Sequence, residues 1–150
     1  MAPRVLMVCL GNICRSPMAE AVLARRCPTW TVDSAGTGAW HVGNPPDPRT
    51  IAELARHGIS TRHRARQVRR QDSHDFDLIL GMDRANLANL RPLLDPQGLA
   101  QIALLGDFDP AQVAEVEDPY HDGPEAFAAI YQQITRAVEG LVRVWTPGTR

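Results

Sequence analysis

The chain has 150 residues, of which 44% are hydrophobic and 22% are charged, and its formal net charge is -1. This length is typical of one domain, which we place at residues 1–150. The near-neutral charge argues against general binding to nucleic acid or to anionic membranes, so an electrostatic function must be local. All 16 residues of the Lys+Arg count are arginine, which excludes a lysine nucleophile or Schiff base.

The targeting and redox features favour a cytoplasmic protein. The first ten residues lack the longer apolar core and cleavage site of a secretory signal, and no stretch is long enough to cross a bilayer. Three cysteines, Cys9, Cys14 and Cys27, are an odd number in a chain large enough to fold without disulfides, which indicates a reduced intracellular protein. Export without a leader is the alternative.

Apolar runs predict four strands, at residues 4–9, 30–34, 76–82 and 101–105. The first and third runs are nearly continuous rather than alternating, which is typical of parallel strands that are covered on both faces. Between the strands, helix-start signals stand at Ser16-Pro17, Asp47-Pro48, Asp83 and Pro124, and Gly58 is a natural stop for the second helix.

This alternation predicts an α/β fold: a four-stranded parallel open sheet with helices on both faces, in three layers. In such sheets the ligand site lies outside the carboxyl ends of the strands. Cys9 stands at the carboxyl end of the first strand.

The loop from Cys9 to Ser16 has the composition of an anion-binding nest. Backbone N–H groups that precede a helix point inward, and Gly11 and Asn12 tolerate the left-handed backbone that such a curl needs. Arg15 adds a planar fork that can hold two phosphate oxygens. The loop is therefore suited to a tetrahedral anion.

Cys9 lies at the base of this nest, where the amides, the helix dipole and Arg15 all favour thiolate over thiol. We predict that Cys9 is mostly thiolate at neutral pH and attacks a bound phosphoryl group in line. The alternative is a small buried hydrophobe that closes a strand. A cysteine and an arginine at this spacing are a weak signal alone, but the strand, the Gly-Asn bend and the Ser-Pro helix entry favour the nucleophile.

The stretch "CLGNICRSP" resembles, residue for residue, the phosphate-binding loop of the low-molecular-weight protein tyrosine phosphatases. The resemblance extends over nearly the whole chain and includes "DSAGTGAWHVG" at residues 33–43, "HGIS" at 57–60, "HRARQV" at 63–68, "GMDRANL" at 81–87 and "DPY" at 118–120. It implies Cys9 as nucleophile, Arg15 as phosphate clamp and Ser16 as a hydroxyl donor to the thiolate. Asn12, Ser34 and His63 are implied as hydrogen-bonded support for the loop.

A carboxyl group should protonate the leaving phenolate and later activate water. Asp-Pro occurs four times, at Asp47, Asp95, Asp109 and Asp118. Asp47 and Asp109 read as helix caps and Asp95 as the start of a turn. From the residues alone Asp107, Asp118 and Asp122 stay open as the acid, and the resemblance selects Asp118.

An aryl phosphate also needs apolar walls, for which Leu10, Ile13, Trp40 and Tyr120 are candidates, with core packing as the alternative. His121 stands where relatives often carry a second aromatic residue. The substrate-binding set that we predict is Leu10, Gly11, Asn12, Ile13, Cys14, Ser16, Trp40 and Tyr120.

The remaining cysteines and charges suggest no cofactor. Cys14 is either a plain apolar residue or, as the resemblance implies, the partner of Cys9 in a reversible protective disulfide. Cys27 reads as structural.

The basic run "RHRARQVRR" at residues 62–70 reads as a solvated face, so we expect no nucleic-acid partner. Since the five histidines show no zinc-ligand spacing, we predict no metal.

The prediction is a cysteine-dependent protein tyrosine phosphatase that hydrolyses phosphotyrosine and small aryl phosphates through phosphocysteine and releases inorganic phosphate. A thiol-dependent arsenate reductase is disfavoured because the segment after the third strand has no cysteine. A phosphoarginine phosphatase would typically carry a small hydroxyl residue at Ile13. A noncatalytic phosphopeptide-binding module would not need Cys9, Arg15 and Asp118 together.

Overall fold

A computed structural model describes residues 2–145. The four strands are β1 (Arg4–Cys9), β2 (Thr31–Gly36), β3 (Leu78–Gly81) and β4 (Gln101–Leu104). The five helices are α1 (Arg15–Arg26), α2 (Pro48–Arg56), α3 (Asp72–Asp75), α4 (Arg84–Leu90) and α5 (Pro124–Val144). Two short 3-10 helices, Arg91–Leu93 and Leu105–Phe108, follow α4 and β4. Met1 and residues 146–150 of the predicted domain lie outside the described residues.

The strands form one sheet in the order β2-β1-β3-β4, and each neighbouring pair is parallel. In this register Met7 of β1 pairs with Ser34 of β2 and Leu80 of β3. Cys9 pairs with Gly36, so β1 and β2 end together at the same edge. The predicted four-stranded parallel sheet is confirmed.

Helices cover both faces of this sheet, as the continuous apolar strands predicted. Val5 and Met7 of β1 point into a cluster with α1 and α5, which includes Phe127. Leu6 and Val8 point to the opposite face, where they pack in a cluster with Leu90 of α4. Helix α2 packs against α1 and α5 on the first face. Within residues 2–145, no helix has both the length and the apolarity that crossing a bilayer requires.

Two of the predicted helix caps are confirmed. Asp47 precedes Pro48 and accepts a hydrogen bond from the Arg49 amide at 2.8 Å. Asp83 accepts one from the Asn86 amide at 2.8 Å and forms a capping box at the start of α4. Gly58, with φ of +74°, follows the end of α2 as expected.

Several predicted boundaries are wrong. Helix α1 begins at Arg15 without a side-chain cap, because the Ser16 hydroxyl faces Cys9 instead. No helix begins at Asp109, although its carboxylate accepts from the Ala111 amide at 2.9 Å as a cap would; the same carboxylate forms a two-point ion pair with Arg136 of α5. Strand β2 extends to Gly36, where a Cβ would lie 2.8 Å from the Leu10 carbonyl oxygen. The short α3 was not predicted.

Candidate active site

The loop between β1 and α1 lies at the carboxyl edge of the sheet, with Cys9 at its base. The Cys9 Sγ lies 2.9 Å from the Ser16 Oγ and accepts a hydrogen bond from the Asn12 amide at 3.3 Å. The Asn12 amide thus brings a hydrogen-bond donor to the sulfur, and the Ser16 hydroxyl lies within hydrogen-bond distance of it. A pocket opens above the sulfur, lined by Cys9, Leu10, Gly11, Ile13, Cys14, Arg15, Trp40, His41, Asp118, Tyr120 and His121.

Asn12 holds the curl of the loop. The Asn12 backbone is left-handed, with φ of +58°, whereas Gly11 does not have a positive φ. The Asn12 side chain donates to the Ser16 and Ser34 hydroxyls at 2.9 and 3.0 Å, and its Oδ1 accepts from His63 Nε2 at 2.8 Å. The amide side chain therefore ties the loop to β2 and to the segment that carries His63.

Glu20 completes this support and was missed by sequence reasoning. The Ser34 hydroxyl donates to Glu20 Oε1 at 2.6 Å, and His63 Nδ1 lies 3.1 Å from the same oxygen. Both ring nitrogens of His63 thus face oxygen acceptors, in Asn12 and Glu20. The position of Glu20 one helical turn after Ser16 was the available signal, since residues four apart share a helix face.

Arg15 is only 2% exposed and is anchored along one edge. Its Nη1 donates to Asp83 Oδ2 at 2.7 Å and to the Val116 carbonyl at 2.8 Å. Its Nη2 lies 3.9 Å from Asp118 Oδ2, on the side of the pocket. The anchor orients the guanidinium before any ligand arrives. Sequence reasoning gave Asp83 only the role of helix cap, although its place after β3 put it at the edge that carries Cys9.

Asp118 is the acid candidate that the structure brings to the pocket. It lies beside Arg15, and its Oδ1 accepts from the Tyr120 amide at 3.1 Å. Asp107 instead binds the Leu104 amide at the end of β4, and Asp122 lines a neighbouring groove. Of the three carboxylates that the residues left open, Asp118 is the one beside the Cys9 thiol.

The mouth of the pocket is aromatic. Trp40 is 73% exposed and Tyr120 is 42% exposed, which is unlike core packing. Two histidines join them: the His121 ring stands edge-on to Tyr120 with centroids 5.1 Å apart, and His41 lies against Gly11. His41 was not predicted as a site residue.

The predicted substrate-binding residues divide into two groups. Leu10, Gly11, Ile13, Cys14, Trp40 and Tyr120 line the pocket, whereas Asn12 and Ser16 lie beneath it and support the loop. Burial raises the pKa of the Cys14 thiol well above its usual range, and the Asp47 carboxylate adds to the effect. The Cys14 thiol therefore stays protonated at neutral pH.

One cluster has side chains of metal-ligating type. Ligand atoms of Glu20, Asp33 and His63 lie within 4.8 Å of one another. Each already has a protein partner: Asp33 pairs with Arg66 at 3.1 Å, and Glu20 pairs with His63. The absence of a metal stays a prediction.

The family model described as low molecular weight phosphotyrosine protein phosphatase matches residues 4–146. The chain belongs to this family. This membership confirms the resemblance that the loop sequence indicated.

Relatives within the low molecular weight phosphotyrosine protein phosphatase family match nearly end to end. The chain is 43% identical to low molecular weight phosphotyrosine protein phosphatase 1 of Drosophila melanogaster, over 95% of this chain and 97% of that protein. It is 44% identical to the Homo sapiens family member, over 92% of each. A solved structure of a Drosophila arginine phosphatase superposes with a TM-score of 0.86 at 40% identity, covering 93% of this chain and 96% of that one.

Proposed function

We propose that this family member hydrolyses phosphotyrosine in proteins and peptides, and small aryl phosphates, through a phosphocysteine intermediate. The single observation that carries the proposal is the convergence of Cys9, Arg15 and Asp118 on one pocket at the carboxyl edge of the sheet. The three groups supply the nucleophile, the anion clamp and the proton donor that phosphoryl transfer needs.

In the first step, the Cys9 thiolate attacks phosphorus opposite the ester oxygen. The S–P bond forms as the P–O bond to the phenol breaks. Loop amides and the Arg15 guanidinium hold the equatorial oxygens, and Asp118 gives its proton to the leaving oxygen. Because Asp83 and the Val116 carbonyl hold Arg15 Nη1, the Nη2 edge is left for the phosphoryl group.

In the second step, the Asp118 carboxylate accepts a proton from water, and the water oxygen attacks the phosphocysteine. The S–P bond breaks, inorganic phosphate leaves and the Cys9 thiolate is restored. The Ser16 hydroxyl, 2.9 Å from the sulfur, stabilises the thiolate as leaving group.

The preference for an aryl ester rests on the walls of the pocket. Ile13 offers an apolar surface to a ring, and Trp40 and Tyr120 stand at the mouth. Since one structural relative is an arginine phosphatase, phosphoarginine is the second candidate substrate. Rates on phosphotyrosine and phosphoarginine, measured side by side, decide between them. We expect phosphotyrosine to be hydrolysed faster than phosphoarginine, and we expect Ile13→Thr to bring the two rates closer together.

The central experiment is turnover of phenyl phosphate by the wild type, Cys9→Ser and Asp118→Asn. We expect Cys9→Ser to abolish turnover and Asp118→Asn to lower it by about 10²–10⁴-fold. Rapid quench of the wild type with ³²P-labelled substrate should locate the label on Cys9. Label on any other residue would contradict the mechanism.

Cys14 is proposed as the redox partner of Cys9. With peroxide as oxidant, the Cys9 thiolate would become a sulfenic acid; the Cys14 thiol would then form the disulfide and release water. Both thiols are free and line the same pocket. Peptide mapping after mild peroxide should find the Cys9–Cys14 disulfide in the wild type. In Cys14→Ser, irreversibly oxidised Cys9 should accumulate instead.

The wider predictions complete the proposal: residues 1–150 act as one domain in the cytoplasm, without a metal or cofactor and without nucleic-acid or membrane partners. The near-neutral charge supports the last two points. Undiminished aryl phosphatase activity after treatment with a chelator is the expected test result for the metal.

A further inference from the structure

Arg49, the second residue of α2, joins the two loops that form the proposed site. Its Nη1 donates to the Asp122 carbonyl at 2.7 Å, and its Nη2 donates to the Tyr120 carbonyl at 3.0 Å. These carbonyls belong to residues 118–122, which we call the acid loop because it carries Asp118. Across residues 2–145, no other side chain from outside the acid loop hydrogen-bonds to its backbone.

The guanidinium is held in place on its other side. Asp47 accepts from Arg49 Nε at 3.0 Å and from Nη2 at 3.0 Å. The Arg49 Cζ also lies 4.4 Å from the centre of the Phe127 ring, a residue that is buried in the core. A fixed fork of this kind delivers two directed hydrogen bonds at low entropic cost, which a lysine cannot do.

Asp47 in turn binds the phosphate-binding loop. Its backbone amide donates to the Ile13 carbonyl at 2.8 Å, and Thr50 Oγ1 donates to the Cys14 carbonyl at 3.3 Å. A continuous path of hydrogen bonds therefore runs from Ile13 through Asp47 and Arg49 to the acid loop. The hydrogen bonds from Arg49 lower the pKa of the Asp47 carboxyl, so the pair stays ionised at neutral pH.

We propose that Arg49 is a positioning residue, which sets the distance of Asp118 from the phosphoryl group by holding the acid loop against the phosphate-binding loop. The proposal rests on the proposed function, since it assigns Arg49 an effect on proton donation. Arg49 is absent from the pocket lining; it contacts residues 118–122 through two backbone carbonyls and through the Tyr120 ring, whose centre lies 5.9 Å from the Arg49 Cζ. A displacement of about 1 Å in a catalytic group can cost about 10²-fold in rate.

A simple stabilising role and a positioning role differ in their dependence on the leaving group. If Arg49 positions the acid, its removal slows substrates that need protonation of the leaving oxygen and spares those that do not. The experiment compares kcat/KM for phenyl phosphate with kcat/KM for 2,4-dinitrophenyl phosphate, whose phenolate leaves without help. For Arg49→Gln we expect a loss of about 10–100-fold on the first substrate and about 3-fold or less on the second.

Three further variants sharpen the test. Arg49→Lys, which keeps a cation beside Asp47 but not the two directed hydrogen bonds, should show the same pattern with a smaller loss. Arg56→Gln removes another arginine–carboxylate pair of α2, that with Glu53, and should leave both rates near wild type. When Arg49→Gln is added to Asp118→Asn, the double variant should have the same kcat/KM for phenyl phosphate as Asp118→Asn alone.

Equal losses on both substrates would overturn the proposal, as would full additivity in the double variant. The inhibition constant of inorganic phosphate should stay within about 3-fold of wild type in Arg49→Gln, because the phosphate clamp is intact; a large rise would also count against a positioning role. If Arg49→Gln proves too unstable to assay, Arg49→Lys decides by the same comparison. If Asp118→Asn loses equal activity on phenyl phosphate and on 2,4-dinitrophenyl phosphate, Asp118 is not the acid and the proposed function fails at this point. If Asp118→Asn loses more activity on phenyl phosphate but neither Arg49 variant does, only the positioning role of Arg49 fails.

Discussion

Arg15 carries a buried positive charge whose nearest anionic partner is Asp83. The pair is 2.7 Å long, the Arg15 side chain is 3% exposed and the Asp83 side chain is 24% exposed. Asp83→Asn removes the charge of the partner but keeps a carbonyl oxygen and a residue type that caps helices well. In Asp83, Oδ1 accepts from the Asn86 amide and Oδ2 accepts from Arg15 Nη1, so the single side-chain oxygen of Asn can keep the cap of α4 or the contact with Arg15, but not both.

The variant loses the charge of the partner and one of the two hydrogen bonds that Asp83 accepts. A hydrogen bond that involves a charged group contributes about 1.5–3 kcal/mol, so the variant should lose about this amount. For a domain of this size, that loss lowers Tm by about 3–12 °C. A bound phosphate dianion would no longer be repelled by Asp83, so phosphate should bind Asp83→Asn more tightly, by about 3–10-fold.

The assay is urea unfolding at pH 7, with and without saturating inorganic phosphate at constant ionic strength. The stability deficit of Asp83→Asn should shrink by about 1 kcal/mol when phosphate is present, since a ligand stabilises the state that it binds. Asn86→Ala, which breaks the capping box without contact to Arg15, should show a deficit that phosphate leaves unchanged. A deficit in Asp83→Asn that phosphate leaves unchanged or enlarges would refute the electrostatic reasoning.

Three other predictions concern the loop, an ion pair and a packing contact. Asn12→Ala and Asn12→Gly both lose the side-chain hydrogen bonds, but Ala also has to adopt φ of +58°, so it should be less stable than Gly by about 1 kcal/mol in urea unfolding; equal stability would contradict this. Hydrogen bonds from Arg136 lower the pKa of Asp109 below the usual carboxyl value of about 4. The pair therefore stabilises the fold above this pH, and the stabilisation is lost as the pH falls towards the lowered pKa. The unfolding free energy of Arg136→Gln should decline less between about pH 6 and about pH 3 than that of the wild type. A Cβ on Gly140 of α5 would overlap the Phe108 carbonyl oxygen, so Gly140→Ala should destabilise the protein by about 1–3 kcal/mol in thermal or urea unfolding, against the gain that helix propensity alone predicts.

The fold was predictable because its main signals are local. The continuous apolar run of β1 needs cover on both faces, and the capping residues Asp47 and Asp83 mark helix starts within a few residues. The prediction failed where a local signal was not enough to fix the element. Asp109 accepts a hydrogen bond from the Ala111 amide, as a helix cap would, yet no helix begins there, and its carboxylate is also bound by Arg136, 27 residues away.

The candidate site divides along the same line. Cys9 and Arg15 lie within one short stretch of sequence, so their roles could be proposed from the residues alone, whereas the role of Ser16 beside Cys9 and the choice of Asp118 needed the resemblance. Glu20 and Asp83 were missed as members of the site. Each acts by holding another side chain, and such a role is fixed only when strands and helices bring the two residues together.

Arg15 and Asp118 face each other in the pocket, where Arg15 Nη2 and Asp118 Oδ2 form a long ion pair at 3.9 Å. Asp83 already occupies Nη1, and the Tyr120 amide holds one oxygen of Asp118. On the present proposals, Asp83 restrains the guanidinium of Arg15, and Arg49 restrains the loop that carries Asp118, so the two side chains are held from opposite sides of the place that the phosphoryl group would occupy.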